Sequence, residues 1–416
     1  MPEKHLTTLY ALLSQPPLPD DLSAAFINYS HEDWEGILDL AGKHNLIPLL
    51  YARLKSLGLS HTIPTAILEN MRQAMLTNAT RNAIFLHEAK TLLDSLQKAN
   101  IPVIGLKGVY LLENIYPDIS TRTMNDLDLM LKKADIPEAL TICQSLGYQP
   151  TTYFDINDPN LDIKHVPPLK KEPGPYLELH WTILEEDEPF TINAKSLWER
   201  AVPATIAGVD ALALSPEDLI LHLCLHLAYQ HQLKLGLRGL YDVAAVLQHF
   251  KAQLNGAKMA AIAQEWGANR VLGLTLALAV DLLRGPIPSG IYEQLQQVTI
   301  EPWVQEEARR QLLDQGHPSS SMTPDLAKFA NEKGAIKRIQ MMLKRIFLPK
   351  GIMSRLYNVP PTTLRIYGCY FRRAWELLTH YRHVVRLALS KDATVLMSAQ
   401  DELNNQHLLE WMQRGI

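Results

Sequence analysis

The sequence predicts an α+β protein, mostly helical overall, with a small mixed-sheet core flanked by N- and C-terminal helical domains. Three observations carry that prediction. Short apolar runs bounded by turn formers fall at residues 101–106, 126–131 and 176–179, the pattern of strands rather than helices. Long stretches with apolar residues three and four apart lie before and after them, the spacing of a helix face. In the strand-like runs acids alternate with leucines, so one face is polar and the other enters a core. With 416 residues the chain is long enough for two or three domains. Their expected limits are a helical domain at 1–78, the sheet core at 79–200 and a second helical domain at 201–416.

Composition narrows the class. Apolar content of 47% and charged content of 20% are those of an ordinary soluble globular protein. A net charge of −4 argues against a generic nucleic-acid binder, though not against a local basic patch. Cys143, Cys224 and Cys369 are few, odd in number and far apart, which excludes a disulfide framework and a cysteine-rich zinc site. The expected location is the reducing cytoplasm. Met1-Pro2-Glu3-Lys4-His5 starts no secretory pattern. The apolar run 271–280 is cut by Asp281 and Arg284, too short to cross a bilayer.

Taken in order, residues 22–27, 34–40, 47–57 and 67–75 read as amphipathic helices. Ser30 ahead of His31-Glu32-Asp33 is an N-cap with acids in the first turn; Trp34 and His44 read as packing. Residues 78–99 form a further helix, ended by Asn100. The strand at 101–106 runs into Lys107-Gly108, where glycine permits a sharp turn into a helix at 109–115. Tyr116-Pro117-Asp118 breaks that helix, and a loop at 119–125 carries Arg122. The strand Asp126-Leu127-Asp128-Leu129 precedes a helix at 134–146, and Gly147-Tyr148 opens another strand. Residues 163–168 and 177–184 read as an antiparallel pair joined by a polar turn at 170–175. Residues 193–215 read as a connector. Ser215-Pro216-Glu217-Asp218 is a helix start, with a serine cap, proline at the first position and acids behind it. From 251 onward the pattern is helical, interrupted at 286–288 and 317–321.

The candidate chemistry begins with Asp126 and Asp128. At i and i+2 of a strand they share a face, where two carboxylates repel unless a cation neutralises them or one is protonated. Glu178 stands in the same leucine frame, and a third carboxylate completes a cup of hard oxygens suited to Mg²⁺ (or Mn²⁺). Such a site supports in-line phosphoryl or nucleotidyl transfer. A helix N-terminus after Gly108 offers backbone N–H groups to a phosphate, and Lys107 adds a full charge or pairs with a nearby acid. Arg122 clamps a triphosphate, orients Asp126, or is a charge-pairing arginine. His180 shares the face of Glu178 and is a substrate contact or a core histidine; His165 is the weaker candidate. His222 and His226, at i and i+4 and followed by His231, open a metal-dependent phosphohydrolase reading with Asp242, but no defensible motif supports it.

The order glycine turn, Asp-x-Asp strand, lone acid on a later strand resembles the nucleotidyltransferase superfamily of the polymerase β type. The sequence Leu106-Lys107-Gly108, then Arg122, then Asp126-Leu127-Asp128-Leu129, then Leu177-Glu178-Leu179-His180-Trp181 is similar to an uncharacterised bacterial nucleotidyltransferase family with a Leu-Lys-Gly signature. The similarity extends to 34–44, 215–242 and 347–373. The wider superfamily has a Gly-Ser or Gly-Gly turn where this chain has Lys107-Gly108. Lys107 therefore takes the serine's place at the triphosphate, or that contact is gone.

The resemblance implies transfer of an NMP from an NTP to an acceptor hydroxyl or phosphate. Asp126, Asp128 and Glu178 would hold metal and carry the catalysis. Lys107, Gly108, Arg122 and His180 would bind the nucleotide. The rival reading is a catalytically inactive nucleotide- or partner-binding protein of the same fold. The acceptor is not encoded in any recognisable motif. The basic, aromatic-rich span from Lys337 to Lys391, which contains only Glu376 as an acid, suits an anionic partner: RNA, a phosphorylated molecule or a membrane face. The bland alternative there is a set of amphipathic helices with solvated charges.

Overall fold

The computed structural model describes residues 3–14, 26–154, 163–185, 187–286, 291, 298–313, 334–389 and 393–414. Four helices come first: α1 (Glu3–Leu13), α2 (His31–Lys43), α3 (Ile47–Ser56) and α4 (Thr65–Lys98). Ser30 caps α2 as expected: its Oγ accepts from Asp33 N while Asp33 reaches back to Ser30 N, which satisfies two otherwise unbonded donors. Trp34 is fully buried beside Phe26 and Tyr29, and buried His44 accepts from Leu237 N, so both are packing residues.

One difference from the periodicity lies in α4. The helices expected at 67–75 and 78–99 are a single one of 34 residues; its polar residues Asn78 and Asn82 are buried and donate to the backbone carbonyls of Ser120, Ile119 and Arg122. Both asparagines anchor the loop that carries Arg122. The expected segments at 22–25, 287–288 and 317–321 lie outside the described residues.

Asn100, in the left-handed region at φ 57°, ends α4 and turns the chain into β1 (Ile104–Gly105), followed by α5 (Lys107–Asn114), β2 (Asp126–Met130) and α6 (Ile136–Ser145). Short strands β3 (Gln149–Pro150) and β4 (Leu169–Lys170) lead to β5 (Tyr176–His180). The stretch read as a connector is instead structured. It holds α7 (Ala194–Arg200) and a hairpin of β6 (Val202–Ile206) and β7 (Val209–Ala213), whose alternating small apolar residues were too weak a signal to read. β7 adds in parallel to β1, giving a seven-stranded mixed sheet in the order β3-β4-β5-β2-β1-β7-β6.

Alternation sorts the sheet's side chains into two cores. Leu127, Leu129, Leu177 and Leu179 pack with Leu92, Leu96 and Cys143 from α4 and α6. The other face sends Ile104 and Met130 into a larger core that runs from Leu9 through Leu219 and Leu240 to Met412. That face also carries Asp126 and Asp128, so the acids look toward the C-terminal helices.

Those helices begin with α8 (Pro216–Cys224), capped by Ser215 Oγ on Asp218 N. It continues as a π-helical turn, Leu225–Gln230, into α9 (Gly236–Phe250). Beyond lie α10 (Gly256–Trp266), α11 (Asn269–Leu283), α12 (Pro302–Leu313), α13 (Ala335–Ile346), α14 (Lys350–Tyr357), α15 (Arg365–Leu389) and α16 (Ala393–Gln413).

Candidate active site

The acids are brought together by strand register. β2 and β5 run in parallel with Asp128 directly opposite Glu178 and Asp126 opposite Tyr176. Alternation puts Asp126, Asp128, Glu178 and His180 on one face. Asp128 is buried, and its Oδ1 accepts from Lys107 Nζ at 2.9 Å and from His180 Nε2 at 3.0 Å. The same His180 nitrogen lies 3.3 Å from Glu178 Oε2. His165 Nε2 stands 3.9 Å from that oxygen, and the two imidazoles are 4.7 Å apart. Glu178 is half-buried at the rim.

The electrostatics follow from this arrangement. Burial works against charge on Asp128, but Lys107 and His180 hold its carboxyl well below the usual range. Asp126 has no such partner among the described residues. Burial and the Asp128 carboxylate beside it push its carboxyl up to about 6. Glu178 is also opposed by burial, yet the His180 hydrogen bond lowers it. The Lys107 ammonium persists despite burial because Asp128, Asp126 and Glu178 raise its pKa. Lys107 starts α5 with φ 41°, a strained value for a residue with a Cβ. Gly108 follows because a Cβ there would lie 3.0 Å from both Arg122 Nη1 and Met124 Cγ.

Arg122 lies in the same cavity, but its Nε and Nη2 donate to Asp242 Oδ1 and Oδ2, both at 2.8 Å. Tyr116 Oη donates to the same carboxylate at 2.7 Å. This buried fork ties the loop before β2 to α9. Charge pairing is one of the three roles read for Arg122, and in the geometry its partner is Asp242. His226 and His231 line the cavity with rings 4.4 Å apart. Burial and the nearby Lys107 keep His226 well below its ordinary range and take His231 to about 4. His222 lies behind them, fully buried with both ring nitrogens unpartnered. Among the described residues these three form no cluster with a carboxylate that could hold a metal.

The cavity measures about 380 Å³. The sheet acids with Lys107 and Gly108 form one wall, and His226, His231, Arg238 and Asp242 form the other. Sequence reading missed two of its cations. Arg238, on α9, donates through Nη1 to Thr123 O at 3.3 Å, leaving a buried Nε without a partner. Burial and the Arg122 charge lower its pKa. Lys164, whose pKa is likewise lowered by burial and by Lys107, enters from the β4 side. Neither has an ion-pair partner among the described residues, and nothing in the local sequence marks them. A larger cavity of about 660 Å³ lies where Trp181 turns away from His180. Its lysines Lys132 and Lys133 stack on Trp198 and Trp181, and Glu185 and Glu188 line it as well.

The donor set fits a hard divalent cation. Ligand atoms of Asp128, Glu178 and His180 lie within 4.8 Å of one another. The raised carboxyl of Asp126 is the repulsion that a bound cation would relieve. Two or three carboxylate oxygens suit Mg²⁺, and the imidazole admits Mn²⁺ as well.

Comparison with known proteins adds one result. A family model described as "Uncharacterised nucleotidyltransferase" matches residues 30–284, from α2 through the sheet to the end of α11. No curated protein and no solved structure matches the chain.

Proposed function

The chain belongs to this uncharacterised nucleotidyltransferase family, and we propose that it moves an NMP from an NTP to a hydroxyl or phosphate acceptor in the cavity under Asp128. The observation that carries this reading is the registered trio of carboxylates on one sheet face, opposite a wall that supplies uncommitted cations. Asp126, Asp128 and Glu178 would hold Mg²⁺ or Mn²⁺. The metal's contribution, when bound, is to neutralise phosphate charge and polarise the phosphoryl oxygens.

The protein's own groups do the rest. Lys107 Nζ and the Gly108 amide at the start of α5 face the phosphates. Arg238 and Lys164 balance the charge that moves onto the leaving pyrophosphate. Arg122, locked to Asp242, keeps the α9 wall at its distance from β2. His180 holds Asp128 Oδ1 and Glu178 Oε2 in place. The acceptor oxygen forms a bond to the α-phosphorus while the bond to the β-phosphate's bridging oxygen breaks. The acceptor's proton passes to Glu178.

The test is incubation with α-labelled NTPs, Mg²⁺ or Mn²⁺ and a cell extract. A labelled product should form with the native protein and be absent with Asp128→Asn. A second reading, nucleotide binding without turnover, is favoured by one observation: Lys107 and His180 already occupy Asp128 Oδ1. Calorimetric binding of NTP with no pyrophosphate release and no labelled product would establish it in place of the transferase.

A further inference from the structure

Between residues 336 and 378 the surface changes character. Twelve of the 17 exposed large apolar side chains among the described residues lie there. On α13, Ile336, Ile339, Met342 and Leu343 recur at helical spacing and are 74%, 57%, 39% and 47% exposed. On α15, Tyr367, Phe371, Trp375 and Leu378 do the same, with Phe371 81% exposed. α14 adds Ile352 and Leu356, and Leu364 stands out from the preceding loop. The same 43 residues hold nine Lys and Arg against Glu376 alone, in a chain whose net charge is −4.

These helices are packed on one another. Met353, Ile366 and Cys369 make a small core of their own, apart from the two that hold the sheet. Phe347 stacks on Tyr370, whose hydroxyl donates to Leu348 O, and Arg373 Nε donates to Arg345 O. A folded unit that leaves whole apolar stripes outside is a docking surface in want of an occupant.

We propose that the helices of residues 335–378 dock this protein onto the surface of an anionic lipid bilayer. Charge complementarity selects that occupant. Lys and Arg reach the headgroups while the stripes between them enter the acyl boundary. Tyr367 and Trp375 are of the type that settles at headgroup level. RNA would use the cations and the aromatic rings, but it gives the eight exposed aliphatic side chains nothing to bury against. Pairing of the surface with its own copy would bring two strongly positive faces together. No helix among the described residues is long and apolar enough to cross a membrane, so the surface lies on the bilayer. The proposal does not depend on the reaction assigned to the cavity.

The experiment is flotation of the full-length protein with vesicles of phosphatidylcholine alone or mixed with phosphatidylglycerol. The protein should float with the mixed vesicles, less so as salt is raised. It should stay behind with phosphatidylcholine alone. Lys344→Glu and Arg365→Glu should each weaken partition about fivefold or more. Phe371→Ser with Trp375→Ser should weaken it at least as much, with circular dichroism unchanged in every variant. Failure to float with mixed vesicles overturns the proposal. So does flotation that the charge and apolar variants leave unchanged. A gel shift with single-stranded RNA, or a concentration-dependent dimer, abolished by the same variants in protein that ignores vesicles would assign the surface to RNA or to a second copy instead.

Discussion

Asp126 and Asp128, two residues apart on β2, are driven to opposite ends of the carboxylate range. Asp128 is held ionised by Lys107 and His180, while Asp126 is pushed up to about 6 by its own burial and by the Asp128 carboxylate beside it. The stability consequence for the metal-free protein has a definite sign. A carboxyl raised in the folded state favours the fold below its unfolded value of 3.8, and that advantage disappears as pH rises through about 6. Replacing Asp126 by Asn should therefore stabilise the metal-free protein near pH 8 by about 1–3 kcal/mol, with the gain shrinking as pH falls below about 6 and gone by about pH 4. Urea melts across that range check it, and Mg²⁺ should stabilise the native protein but not the variant. The Arg122–Asp242 fork gives a second outcome. Arg122→Met leaves a buried carboxylate uncompensated and should cost about 3–5 kcal/mol. Asp242→Asn in the same chain should recover part of that loss, because the stranded charge goes with it; a double-mutant cycle on denaturant midpoints measures the coupling.

At the scale of elements, the turn from β1 into α5 is where strain and function coincide. Lys107 has φ 41°, which costs a residue with a Cβ on the order of 1 kcal/mol. Lys107→Gly and Lys107→Ala both remove the ammonium from Asp128. The glycine variant should nevertheless be the more stable by about 1 kcal/mol in thermal or urea unfolding, and equal stabilities would show that the turn is unstrained. The π-helical turn between α8 and α9 is the matching device on the other wall. His231 N bonds to His226 O across five residues, and a bulge of that kind re-aims side chains at functional sites. It brings His226 and His231 onto the cavity one after the other.

At the scale of the whole molecule, the sheet and its flanking helices share a core. One continuous set of buried side chains reaches from Leu9 to Met412 and includes Ile104, Leu106 and Met130. The domain limits suggested at 79 and 200 leave β7 outside, although it pairs with β1. A fragment of residues 79–200 should therefore show neither cooperative unfolding nor a native-like near-ultraviolet spectrum, because β1 loses a partner strand and its face loses the helices that cover it. Cooperative unfolding of that fragment would show the sheet to be self-sufficient.

Part of the site was legible because strand periodicity is a local property. The alternation of Asp126, Leu127, Asp128 and Leu129 puts both acids on one face whatever else the chain does, and the same holds for Glu178 and His180. The long-range partners were not legible. Nothing near Arg122 says that its carboxylate waits 120 residues away at Asp242. Nothing near Arg238 or Lys164 distinguishes them from surface cations, since burial and the field of Lys107 set them apart. By itself, then, the sequence determined the α+β class, the helix caps at Ser30 and Ser215, and which acids share a face, because caps and alternation need only neighbours. Tertiary structure alone decided that Asp128 lies opposite Glu178 and which cations remain unspent. Register and burial are properties of segments meeting, and no single segment contains them.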